Sequence, residues 1–238
     1  MLICREADVL TKLKGGTMLN TMLAIGLLAS SVATAADQHA PVLAPQMAVG
    51  DSWTYQRTDV WKNEPGTLSR MEITAVSDSD IEADFKHAAT GAVTSHQHFS
   101  RELNPIERHK IQFTPAFGRF AFPLEAGKQW TTEATGDNPG AGKSLHYKFE
   151  GKALGWERIK VQAGEFEVLK IEVTAYYQGR KVGSSSGGSG KLTETLWYAP
   201  AVKNFVKLEY EDTDLRGRPY NRDLWELTAY ENKSGAAN

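Results

Sequence analysis

From Gly50 onward, apolar residues recur at every second position, and that period dictates pleated strands rather than helices. Trp53 and Tyr55 alternate with polar neighbours. Ile81, Ala83 and Phe85 alternate with Glu82, Asp84 and Lys86, and Leu145, Tyr147 and Phe149 with Ser144, His146 and Lys148. Val206, Leu208 and Tyr210 repeat the pattern, and Trp225, Leu227 and Ala229 close it. At Leu196–Tyr198 both parities are apolar, which predicts a strand covered on both faces. No segment after Leu28 carries a sustained helical stripe, and only Asn104–Lys110 suggests a single turn of helix.

Turn signals separate these runs: Glu64-Pro65-Gly66, Thr90-Gly91, Asn138-Pro139-Gly140, Ala163-Gly164 and Arg216-Gly217-Arg218-Pro219. Together they predict an all-β fold of about eleven antiparallel strands joined mainly by hairpins, a large curved sheet forming a half-barrel or open barrel. The run from Gly183 to Gly190 is glycine and serine only, a flexible hairpin tip or a flap over a cleft. Val49-Gly50-Asp51-Ser52-Trp53-Thr54 is echoed by Ala126-Gly127-Lys128-Gln129-Trp130-Thr131, so the single domain expected at 46–232 divides into candidate halves 46–116 and 117–232.

The start of the chain bears on compartment. Met18–Gln38 has a short apolar run, Met22–Leu28, then small residues ending in Ala33-Thr34-Ala35, the pattern of a secretory signal and its cleavage site. The run is shorter than the roughly 20 residues a membrane span needs. Residues 1–35 are therefore expected to be removed, with Met1 and Met18 both candidate starts, and the product to be periplasmic or secreted without a transmembrane segment. No cysteine follows the cleavage region, so a lipid-anchored lipoprotein is not expected. Residues 36–45 are expected to be a flexible N-terminus and 233–238 a disordered tail.

Composition excludes several classes of function. Cys4 is the single cysteine and lies in the leader, so the mature chain has no disulfide, thiol nucleophile or cysteine ligand. The formal net charge is −2 for the whole chain and no long run has one sign, which argues against nucleic acid, whose binding rests on clustered Lys and Arg. Gly136–Ser144 imitates a phosphate-binding loop, but the spacing is one residue too long, Asp137 would repel phosphate, and a strand rather than a helix follows.

Candidate reactive groups are sparse. His96 and His98 lie two apart on one strand face and are weak metal candidates, with His87, Glu107 and His109 as further ligands. Ser95, beside His96, and Ser100 are not set in a nucleophile elbow. Glu165 with Glu167, and Glu209 with Glu211, are carboxylate pairs of the kind strand faces show to solvent. No catalytic residue and no cofactor is assigned. Trp53, Trp130, Trp197, Tyr198 and Trp225 fall on strands, as core or as the lining of a cleft on a concave sheet face. Each methylene buried there is worth about 0.8 kcal/mol, so an acyl chain burying about ten gains roughly 8 kcal/mol before association costs.

Three segments, FPLEAGKQW (Phe122–Trp130), VQAGEFEVLKIE (Val161–Glu172) and ETLWYAPAVKNFVKLEY (Glu194–Tyr210), give the chain a resemblance to a group of uncharacterised bacterial exported proteins carrying a domain of unknown function. The resemblance implies an all-β fold of long antiparallel strands, loosely similar to the curved half-barrel of the periplasmic lipoprotein carrier, and brings no catalytic residues. The sequence thus reads as an exported, non-enzymatic envelope protein binding an apolar or amphiphilic small molecule in a sheet cleft. A structural or protein-interaction module that docks another envelope protein is the alternative, and a hydrolase the second alternative.

Overall fold

The computed structural model describes residues 39–108, 110–181 and 188–233, all within one compact unit that starts at His39. The leader, His109, residues 183–187 of the Gly/Ser run and residues 234–238 of the tail lie outside the described residues. Twelve strands follow one another: β1 (Ser52–Asp59), β2 (Glu64–Val76), β3 (Asp80–His87), β4 (Val93–Ser100), β5 (Glu107–Arg108) and β6 (Ile111–Thr114). Then come β7 (Gln129–Asn138), β8 (Lys143–Val161), β9 (Gly164–Lys181), β10 (Ser189–Ala199), β11 (Asn204–Thr213) and β12 (Pro219–Glu231). The described residues contain no α-helix, only two short 3-10 turns at Pro139–Ala141 and Pro200–Val202.

All twelve strands belong to one antiparallel sheet in the order β4-β3-β2-β1-β12-β11-β10-β9-β8-β7-β6-β5. Every neighbouring pair is consecutive in the chain except β1 and β12, whose pairing from Ser52–Glu231 to Asp59–Asp223 joins the first strand to the last. That junction leaves β4 and β5 at the two free edges, and they nearly meet. Phe99 bridges Pro105, and the Ile106 N–H donates to the His98 carbonyl at 2.8 Å. The sheet is nearly closed into a barrel. The twelfth strand is the two-residue β5, and it corrects the helical turn expected at Asn104–Lys110. That stretch meets its hydrogen-bonding needs across the gap to β4 and with β6 rather than within itself.

The alternation read from the sequence sets the two faces. Along β8, Leu145, Tyr147, Phe149, Gly151 and Ala153 are buried, while Ser144, His146, Lys148, Glu150 and Lys152 are exposed. Ile171, Val173 and Ala175 of β9 and Leu192, Leu196 and Tyr198 of β10 continue the inner row. The long β8–β9 hairpin turns at Gln162–Ala163, and the Ala163 N–H donates to the Leu227 carbonyl of β12, so its tip packs back on the sheet. Residues 115–128, between β6 and β7, cover the concave face of β8–β10. Phe117 packs on Phe149, and both Phe120 and Phe122 pack on Tyr198. Val42, in the segment expected to be flexible, pairs with Leu124 of this cover.

Candidate functional site

The concave face is not filled throughout. Between β1–β4 on one side and β11–β12 on the other lies a cavity of about 230 Å³, a little below the roughly 300–1,000 Å³ of small-molecule pockets. Phe85, Phe99, Leu208 and Trp225 supply apolar wall, and Ser95 and Gln97 of β4 lie along its rim. The cavity therefore adjoins a strand edge: β4 pairs with β3 on one side and, over Val93–Gln97, with no strand on the other among the described residues. Arg108 and Arg119 contribute the cationic part of the lining. Arg108 also borders a second cavity of about 180 Å³, lined by Tyr147, Tyr177, Tyr210, Asp212 and Lys143.

The two arginines meet on Glu194, a fully buried residue of β10. Arg119 Nε donates to Glu194 Oε2 at 2.7 Å and Arg119 Nη2 to Oε1 at 2.8 Å, a side-on fork. Arg108 Nη1 donates to the same Oε1 at 2.8 Å. Burial pushes the Glu194 carboxyl up, but the two guanidinium charges and their hydrogen bonds outweigh it and hold it down to about 2. Burial likewise works against the charge on Arg108, and Glu194 beside it more than restores it. The Arg108 guanidinium lies 5.1 Å from the Tyr210 ring and 5.7 Å from the Phe117 ring, favourable cation–π distances. In the neighbouring cavity burial raises the Asp212 carboxyl, which accepts from the Tyr177 hydroxyl at 2.8 Å. Burial also raises the Tyr147 hydroxyl, to about 12.

The five aromatic residues singled out from the sequence take different places. Trp225 is in the cavity wall. Trp53 is fully buried, its Nε1 donating to the Val202 carbonyl at 2.6 Å. Trp130 lies flat over Gly151, where a Cβ would meet its ring at 2.0 Å, and donates to the Gly118 carbonyl. Tyr198 is core, wedged by Phe120 and Phe122. Trp197 faces the outside of the sheet and is covered there by Lys170 and Lys207, whose ammonium groups lie 5.0 and 4.4 Å from its ring, with Glu157 accepting from its Nε1. Its burial together with Leu196 and Tyr198 matches the two-sided strand read at that position.

His96 is exposed and its Nδ1 lies 2.7 Å from Asp84 Oδ1 across the β3–β4 pair, while His98 stands opposite Glu82. Among the described residues no group of three or more His, Cys, Asp or Glu is placed to hold a metal ion. Glu167 faces His39 at 3.2 Å, Glu209 pairs with Lys207 at 2.7 Å, and Glu211 pairs with Arg222. The Ser100 hydroxyl accepts from the Glu102 and Asn104 N–H groups within a turn. Gly136–Ser144 is the β7–β8 hairpin, its 3-10 turn capped by Asn138.

Sequence reading missed the Arg108–Glu194–Arg119 cluster. Its partners stand 86 and 75 residues apart, and no motif joins them. One signal was present: Glu194 shares strand parity with Leu192 and Leu196, and an acid on the inward row of a strand demands a cation.

Three solved bacterial structures resemble this chain. A candidate lipoprotein from Parabacteroides distasonis has 13% identity and a TM-score of 0.49, over 81% of this chain and 100% of that one. A candidate exported protein with a YmcC-like fold from Bacteroides fragilis has 11% identity and a TM-score of 0.45, over 81% and 100%. The hypothetical lipoprotein YmcC from Escherichia coli has 10% identity and a TM-score of 0.39, over 79% and 90%. These are described as exported proteins or lipoproteins, the kind of protein the sequence motifs resemble. No protein-family model and no curated protein matches the chain.

Proposed function

We propose that this protein is an exported, non-enzymatic binding protein of the bacterial envelope that holds an amphiphilic small molecule in the cavity beside β4. One observation carries this reading: a nearly closed sheet encloses about 230 Å³ walled by Phe85, Phe99, Leu208 and Trp225, and over Val93–Gln97 the strand beside it has no partner strand on its outer edge among the described residues. Apolar wall supplies affinity in proportion to the methylenes it removes from water, and a few polar groups fix orientation.

The neutral fluorescent probe N-phenyl-1-naphthylamine tests the reading. It should bind the purified protein with a blue-shifted emission, and Ser95→Trp, which fills the half-buried rim, should weaken binding at least ten-fold. Native mass spectrometry of protein purified from the envelope should show an adduct of lipid mass. A bare mass, together with probe binding that Ser95→Trp leaves untouched, would refute the proposal.

A further inference from the structure

We infer that the occupant of the cavity is an anionic amphiphile, its oxyanion head seated on Arg108 and Arg119 and its aliphatic chain laid along Phe85, Phe99 and Leu208. The inference rests on the ligand-binding reading above and adds the chemistry of the headgroup. It starts from a count of charges. Two guanidinium groups share one buried carboxylate, Glu194; Asp212, the other acid that acts on Arg108, lies on the side of the neighbouring cavity, so among the described residues no carboxylate answers the guanidinium groups on the side of the cavity beside β4. The count of donors agrees. Each guanidinium has five N–H groups, and Glu194 takes three hydrogen bonds in all. Arg119 Nη1 and Arg108 Nε and Nη2 have no acceptor among the described residues.

Among the described residues no Asp or Glu lines the cavity: Glu194 is sealed beneath the arginines, and Asp212 lines the neighbouring cavity, where Tyr177 holds it. A ligand there meets guanidinium charge on one side and hydrocarbon on the other. Low-dielectric walls strengthen the attraction between the guanidinium groups and an anion, and the planar fork of arginine suits a carboxylate or phosphate. A neutral head forgoes that attraction, and a cationic head is repelled. Glu194 then acts as a positioning residue. It holds both side chains in place before the ligand arrives, so ordering them costs less on binding.

Displacement of N-phenyl-1-naphthylamine by decanoate, decanol, decyltrimethylammonium and acetate at neutral pH separates the possibilities. Decanoate should displace the probe at a concentration at least ten-fold lower than decanol, with decyltrimethylammonium weaker still and acetate without effect. Arg119→Leu removes two of the three hydrogen bonds to the buried Glu194 and is prone to unfold, so Gln97→Glu carries the test. This near-isosteric change on β4 places a negative charge on the cavity wall and leaves the buried cluster whole. It should weaken decanoate at least ten-fold and change decanol less than two-fold. Equal displacement by decanoate and decanol, unmoved by Gln97→Glu, would overturn the headgroup assignment and leave the amphiphile reading standing. Acetate acting as well as decanoate would reduce the site to one for a free anion. Failure of the probe and of all ten-carbon ligands to bind would remove both readings.

Discussion

Two stretches of this chain fold alike and are supported differently. At Gly50 and at Gly127 the backbone turns with φ of +89° and +86° and runs into a strand that carries a tryptophan. The hydrogen bonds match one for one. The Asp51 N–H reaches the Ala48 carbonyl, and the Lys128 N–H the Glu125 carbonyl. The Gly50 N–H donates to the Ile73 carbonyl and the Ile73 N–H donates to the Asp51 carbonyl, while Gly127, Ala153 and Lys128 repeat the exchange. The surroundings differ. Trp53 is fully buried and Trp130 only half-buried. Asp51 is buried beneath Lys203 at 2.9 Å and the N–H groups of Ala48 and Lys233, whereas Lys128 at the matching position reaches the Ala121 and Pro123 carbonyls near the surface. Six residues suffice to write the turn, and the rest of the sheet decides how much stability hangs on it.

The largest contrast lies in the rings. Trp53→Ala should cost about 3–5 kcal/mol in urea denaturation, because it opens a cavity and orphans the Val202 carbonyl. Trp130→Ala should cost less than half of that, and equal losses would dissolve the distinction drawn here. Next come the polar residues. Asp51→Ala leaves two N–H groups and the Lys203 ammonium without their carboxylate and should cost about 2–3 kcal/mol, against about 1 kcal/mol for Lys128→Ala.

Acid sharpens the same contrast. Burial pushes the Asp51 carboxyl up, but Lys203 and the two backbone N–H groups outweigh it, so it stays below its ordinary 3.8. Its stabilising contribution is complete above the unfolded value and is lost as pH falls through the lower folded value. The deficit of Asp51→Asn should therefore shrink between about pH 5 and pH 2, read by thermal unfolding at stepped pH. The Lys128→Ala deficit should hold steady across that window, because backbone carbonyls do not titrate. The smallest contrast is at the turns. Gly50→Ala and Gly127→Ala force a side chain into the left-handed region at about 1–2 kcal/mol each. Gly50 should be the worse of the two, since its Cβ would meet Lys233 Cγ at 3.1 Å and that of Gly127 meets nothing.

What could be read in advance follows from the range of the interaction involved. Alternation is local, so Leu145–Phe149, Ile81–Phe85 and Val206–Tyr210 announced their strands and buried rows from the sequence alone. β5 was missed because two residues have no period, and only its neighbours make it a strand. The tryptophans were placed on strands, yet strand position does not say what covers each face: Trp197 is buried on the outer side by two lysine stems. The arginine cluster was hidden for the opposite reason. Its members come from β5, from the cover over β8–β10 and from β10, and only closure of the sheet brings them together.

The gap between β4 and β5 gives the ring a seam. Along the long hairpins of the ring, prising two strands apart would rupture a whole ladder; here a brief contact about Phe99 and Pro105 holds the seam, with the Ile106–His98 and Ser100–Asn104 bonds beside it. The polypeptide itself crosses that seam through residues 101–106, so the wall can part there like a clasp on a purse whose hinge is intact. Were the proposed ligand to need more room, the seam is where the wall would yield while the long β8–β9 hairpin stayed whole.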